Sequence, residues 1–167
     1  MKKIIKSIIL IMTLLNMLSY KFVNNTSINN TKETKYKENY LFEIEIPKIN
    51  LKKEVYNLDS ELNNVNIGIE LLKPLSLPEN ENSCIILASH NGNSNVSYFN
   101  KLYKLELKDK IIINYNQKKY VYQIVNIYDI LKNGKAVINK SNYNNIVVLI
   151  TCKGNDKQTI YIASLIS

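Results

Sequence analysis

Arginine is missing from this 167-residue chain, so all 22 of its basic side chains are lysines. No side chain can grip a carboxylate, a phosphate or a peptide carbonyl with the planar, two-pronged donor of a guanidinium. Tryptophan is also missing, and there are only one histidine and two cysteines. Two cysteines cannot build a disulfide framework. A zinc site from Cys84, His90 and Cys152 would lack both the short ligand spacing and the fourth protein ligand of structural zinc sites. Glycine and proline are scarce, at four and three residues. No Gly-rich phosphate loop, GxSxG or HExxH pattern occurs, which excludes nucleotide and metalloprotease chemistry of those kinds. No internal repeat is visible.

What is present bounds the class. Apolar residues at 46% and charged residues at 22% are the proportions of a folded globular chain. The length suits one domain with a real core and no more. A formal charge of +8 suggests nucleic acid until it is mapped along the chain. Residues 1 to 40 hold seven lysines against two acids, Glu33 and Glu38, leaving only +3 on the remainder. The excess lies in a tail rather than on a domain face, and no nucleic-acid partner is expected.

That tail opens with Lys2, Lys3 and Lys6 and continues as an apolar stretch to Tyr20, which marks residues 1–20 as a signal anchor or signal peptide. No small-x-small cleavage site follows Leu18, which favours an uncleaved anchor in the cell membrane with the domain outside the cytoplasm. A cleaved signal peptide and a buried core helix are the alternatives. As a helix, Ile4 to Tyr20 spans about 25 Å at 1.5 Å per residue, a short crossing that needs snorkelling lysines. Residues 21–40, rich in Asn, Thr, Ser, Lys and Glu, read as a polar linker, and 41–167 as the domain.

Within the domain, Phe42, Ile44 and Ile46 alternate with Glu43 and Glu45 at the period of a half-buried strand that Pro47 ends. Further strands are expected at Leu51 to Tyr56, Cys84 to Ser89, Lys110 to Asn116, Lys119 to Ile130, Asn145 to Cys152 and Thr159 to Ile166. Tyr115 to Lys118 makes a hairpin turn between two of them. The unalternating run Asn145 to Ile150 predicts a central strand covered on both faces. Short helices are expected over Leu58 to Val65 and Val96 to Leu105. The count favours a mainly β barrel or sandwich, with Leu71 to Ser83 and Leu131 to Asn145 as loops.

Two residues share a position type that points to chemistry. Cys152 leaves a strand of buried character into the polar turn Lys153-Gly154-Asn155-Asp156, and His90 leaves another into Asn91-Gly92-Asn93. Each alone reads as a packing residue, since single cysteines are usually buried and single histidines usually satisfied. Together they supply a thiol nucleophile and an acid for the leaving group. A disulfide between Cys84 and Cys152 is the competing use of the same sulfur.

The ordered set Ile44-Glu45-Ile46-Pro47-Lys48-Ile49, Ala88-Ser89-His90, Tyr98-Phe99-Asn100-Lys101-Leu102, Lys108-Asp109-Lys110-Ile111, Tyr120-Val121-Tyr122 and Leu149-Ile150-Thr151-Cys152 resembles the sortases, cell-wall transpeptidases of Gram-positive bacteria. The resemblance covers residues 41 to 166. It implies a closed eight-stranded β-barrel without a metal or other cofactor. Cys152 would attack the backbone carbonyl of an LPxTG-like sorting motif on a surface protein or pilin. An amine of the cell envelope or of a pilin would then resolve the thioacyl enzyme. His90 would act as general acid and then base, with Thr151, Ser89 and Thr159 lining the substrate groove.

Sortases carry an arginine shortly after the cysteine, at the start of the last strand. Gln158 stands at that position here, or Thr159 if the register slips by one. An amide N–H still donates to an oxyanion, without the charge that makes such bonds about twice as strong. Lys153 and Lys157 either restore that charge beside the thiol or are solvated loop lysines. The family also often has an arginine after its histidine, where Asn91-Gly92 stands. The arginine-free site leaves open a thiol peptidase that hydrolyses the same motif, a non-catalytic module that binds the sorting peptide, and a structural domain closed by a disulfide.

Overall fold

The computed structural model describes residues 40–136 and 144–167. The expected membrane segment at 1–20 and almost all of the linker at 21–40 lie outside the described residues, as does the middle of the loop between Leu131 and Asn145. Among the described residues no helix is long and apolar enough to cross a membrane.

The first strand, β1 (Tyr40–Ile46), buries Phe42, Ile44 and Ile46 completely while the residues between them stay partly exposed. That is the two-residue period of a strand with one covered face. Seven more follow: β2 (Leu51–Tyr56), β3 (Glu70–Ser76), β4 (Cys84–Ala88), β5 (Lys110–Tyr115), β6 (Lys118–Leu131), β7 (Ile146–Lys153) and β8 (Lys157–Leu165). They form one sheet in the order β2-β1-β5-β6-β8-β7-β4-β3. Its end strands touch without pairing, so the sheet curls into a nearly closed barrel. Only β4 and β7 run parallel; every other neighbouring pair is antiparallel.

Two apolar layers hold this sheet. The interior layer draws on every strand and includes Phe42, Val55, Leu71, Leu87, Ile113, Tyr122, Leu149 and Tyr161. The second lies on the outer face of β4, β7 and β8 and consists of Cys84, Ile86, Ile146, Val148, Ile160 and Ile162. Along β7 the layers interleave residue by residue, which explains the unalternating run: both faces of this central strand are covered. The β5–β6 hairpin turns at Asn116 and Gln117, both with positive φ (51° and 62°), as a two-residue hairpin that follows the right-handed twist of its strands requires.

Two expectations are corrected. The loop predicted from Leu71 to Ser83 begins instead as β3, an edge strand that pairs with β4. Pro74 hid it, because a proline argues against a strand except at an edge, and β3 is one. The Asn63 side chain supplies the missing neighbour: its Oδ1 accepts from Leu71 N–H at 2.7 Å and its Nδ2 donates to Leu71 C=O at 3.1 Å. The two predicted helices reduce to turns, with a single 3-10 turn at Leu102–Lys104. Local side chains explain this, since Asn57, Ser60, Asn64 and Ser94 each accept from a backbone N–H one or two residues on. Such bonds compete with helical ones.

Candidate active site

The parallel pair sets the site, because parallel neighbours finish at the same end of the barrel. Ala88 of β4 stands opposite Ile150 of β7. The register continues past the last rung: Ser89 N–H donates to Ile150 C=O at 3.4 Å, and Thr151 Oγ1 donates to Ser89 C=O at 3.0 Å. The chains continue to His90 and Cys152, and Asn91 Nδ2 closes the junction by donating to Cys152 C=O at 2.8 Å. Neighbouring strands are about 4.8 Å apart, so the two residues occupy adjacent chain ends.

The β7–β8 hairpin adds the third side chain. Lys153 pairs with Lys157 across a three-residue turn in which Gly154 takes a φ of 65°, a conformation that a side chain would strain. That turn fixes the register with Gln158 opposite Cys152 and Thr159 opposite Thr151. Since successive residues of a strand face opposite sides, Cys152 and Gln158 lie on the same outer face as Ile150, Ile160 and Val148. His90 comes two residues after Ala88, the last residue of β4. Cys152, His90 and Gln158 are all partly exposed.

Ser89, Thr151 and Thr159 lie on the other, inward face and are buried. Ser89 Oγ donates to Gly68 C=O at 3.2 Å, and Thr159 Oγ1 donates to Asp129 Oδ1 at 2.8 Å. Their hydroxyls, with that of Thr151, tie strand ends together behind the thiol. An open cavity of about 320 Å³ lies on this inward side, lined by Asn91, Asp129, Thr151, Lys153 and Thr159 among others, and neither Cys152, His90 nor Gln158 lines it.

The two lysines near the thiol face the same way as those threonines. Lys153 Nζ bonds Asp129 Oδ2 at 2.6 Å, and that bond, with the one from Thr159, holds the Asp129 carboxyl below its usual range. Lys153 is therefore engaged away from the sulfur, and Lys157 shares its parity. On the thiol's own face the residue opposite Cys152 is the neutral Gln158.

The disulfide alternative fails on distance. Cys84 stands opposite Ile146, six residues before Cys152 along β7, which is roughly 20 Å at 3.3 Å per residue. Bridged cysteines need Cα atoms within about 7 Å. The same separation removes Cys84 as a co-ligand of His90. Both cysteines are thiols.

One site residue escaped the sequence reading. His90 Nε2 lies 3.1 Å from Asn66 Oδ1. Asn66 sits 24 positions earlier in a run of turns, and nothing in its local sequence marks it as a histidine partner.

Comparison with known proteins places this fold. A sortase-domain family model matches residues 44–166. Sortase C1 from Streptococcus agalactiae superposes with a TM-score of 0.67 at 24% identity, over 78% of this chain and 69% of that one. A lid mutant of sortase A from Corynebacterium diphtheriae gives 0.63 at 19% identity, over 77% and 70%. Streptococcus pneumoniae sortase C gives 0.63 at 23% identity, over 75% and 67%. No curated protein sequence matches the chain.

Proposed function

The chain belongs to the sortase family of cysteine transpeptidases, and we propose that it cleaves an LPxTG-like sorting motif and transfers the acyl group to an amine of the cell envelope or of a pilin. The observation that carries this reading is the pairing of Cys152 with Gln158 in the β7–β8 ladder, at the end of the barrel where the parallel neighbour β4 leads into His90. The pilin substrates named for the S. pneumoniae relative support a pilin acceptor as one form of it.

In this mechanism the Cys152 thiol gives its proton to His90 and the sulfur adds to the scissile carbonyl carbon. The carbonyl oxygen takes the electron pair, and the Gln158 amide N–H donates to that oxyanion. When the oxyanion collapses, the C–N bond breaks and imidazolium protonates the departing amine, leaving a thioester on Cys152. The acceptor amine then loses a proton to His90 and adds to the thioester, and the second collapse expels the thiolate. The product contains a new amide bond, and no redox partner is required.

Incubating the protein with a sorting peptide, with and without an oligoglycine amine, tests this. Ligated product that appears only with the amine supports transpeptidation. Cleavage to the free acid at a rate indifferent to the amine makes it a thiol peptidase, and neither product contradicts both. The neutral Gln158 favours a second reading, a module that holds the sorting peptide without reacting. An electrophilic thiol probe that fails to label Cys152 in folded protein favours that reading. The proposal extends to the membrane through residues 1–20. Full-length protein that leaves the membrane pellet with high salt, before detergent is added, contradicts a membrane-spanning anchor.

A further inference from the structure

We propose that the cavity between the β1–β2 turn and the loop after His90 is a saccharide-binding subsite, suited to uncharged sugar rings that carry hydroxyl and acetamido groups. It is open, measures about 350 Å³, and shares no lining residue with the cavity behind the thiol. That volume falls within the roughly 300–1,000 Å³ of ordinary small-molecule sites. Asn50, Asn93, Asn95 and Asn100 line it, and their side chains make no hydrogen bond among the described residues. Elsewhere asparagine amides are tied to the fold, as at Asn63, Asn91 and Asn114. An amide donates and accepts at once, as a sugar hydroxyl does, and it can pair with an acetamido group through two parallel bonds. Among the described residues no carboxylate lines the cavity and Lys101 is its one ammonium, so neither a cation nor a polyanion is selected.

A buried hydroxyl points to a ligand independently of the amides. Ser97 lines the same cavity and is only 6% exposed, yet its Oγ has no hydrogen-bond partner among the described residues. An unpaired hydroxyl at that depth is costly, and a polar group entering the cavity would complete it. A Cβ on Gly92 would stand 3.4 Å from that oxygen, so glycine keeps the approach open. The walls are set before any ligand arrives. Phe99 N–H donates to His90 C=O at 3.3 Å and closes the loop, while Val96 and Ser97 N–H donate to Ser94 Oγ and C=O at 3.1 and 3.0 Å. Across the cavity Asn50 holds a φ of 52° with its N–H on Pro47 C=O at 3.0 Å. Lys53 Nζ stands 4.8 Å from the centre of the Tyr98 ring and steadies the aromatic part of the lining. Walls held in this way leave little ordering to be lost on binding. Asn93 is three residues from His90, within about 11 Å along the chain. The subsite therefore adjoins the proposed active site, but sugar binding does not depend on Cys152 reacting.

Titration of ¹⁵N-labelled full-length protein, in a sugar-free detergent, with tri-N-acetylchitotriose and with maltotriose tests this. Saturable shifts of the side-chain amide signals of Asn50, Asn93, Asn95 and Asn100 are expected, assigned by the signal that each alanine variant loses. Ser97→Ala removes an unpaired hydroxyl and should fold normally, yet raise the Kd about fivefold, the factor that corresponds to one hydrogen bond of about 1 kcal/mol. Asn95→Ala, in an exposed position of the loop, should weaken binding by a similar factor. Binding of either sugar at these signals supports the inference, and the ratio of the two affinities reports whether acetamido groups are read. No shift with either sugar at millimolar concentration overturns it, as does an affinity unchanged in both variants. Shifts of the same signals by inorganic phosphate or by a sorting peptide, in place of the sugars, also overturn it.

Discussion

At the scale of single residues, the ladder identifies which residue stands where the resemblance expects an arginine after the cysteine. Sequence reading left Gln158 and Thr159 as alternatives because a one-residue slip changes which of them faces the thiol. The three-residue turn around Gly154 selects Gln158. If its amide is the donor to the oxyanion, Gln158→Ala lowers kcat about 100-fold, the loss typical of one such donor, with little change in KM. Gln158→Arg raises kcat above that of the unmodified protein, since a charged donor binds an oxyanion more strongly. Steady-state kinetics of the three proteins on one sorting peptide checks this, and an unimpaired alanine variant shows that the amide takes no part. Cys152 and His90 were legible in the sequence because each ends an apolar strand and enters a polar turn. Asn66 was not, because only folding brings a turn asparagine to a ring 24 residues away.

At the scale of elements, the ends of β6, β7 and β8 are pinned by the Lys153–Asp129–Thr159 group behind the thiol. Asp129 has its pKa lowered, from 3.8 for the ordinary group, first by the hydrogen bond from Lys153 and then by that from Thr159. A carboxyl with a depressed folded pKa contributes stability above its unfolded value and loses it as pH falls through the folded one. Asp129→Asn is therefore less stable than the unmodified protein at pH 7, by no more than about 1 kcal/mol because the pair is exposed and screened. The difference shrinks once the pH drops below about 3.8. Denaturant titrations on both sides of that value check it, and an equal deficit on both sides contradicts it. Strands with alternating or continuous apolar runs were legible from sequence, whereas β3 was not. Its stability comes from pairing with β4 and from the Asn63 amide, both of which are tertiary. The expected helices failed for the opposite reason, because short Asn and Ser side chains bond locally to the backbone that a helix would need.

At the scale of the whole molecule, the barrel brings two distant strand ends together. Residues 62 positions apart share an edge only because β4 and β7 are parallel neighbours, and a parallel pair cannot be joined by a hairpin. Seven of the eight strands were readable from β-rich runs and turn residues, yet their order was not, since no local pattern encodes a crossover. The proposed function depends on that order. Intact-mass spectrometry of full-length protein incubated with a panel of sorting peptides in the absence of amine tests this most directly. The account predicts an acyl adduct on Cys152 that disappears when an amine is added, is absent from Cys152→Ala, and accumulates far more slowly in His90→Ala. An adduct that survives Cys152→Ala, or none on any peptide while the thiol remains open to alkylation, would contradict it.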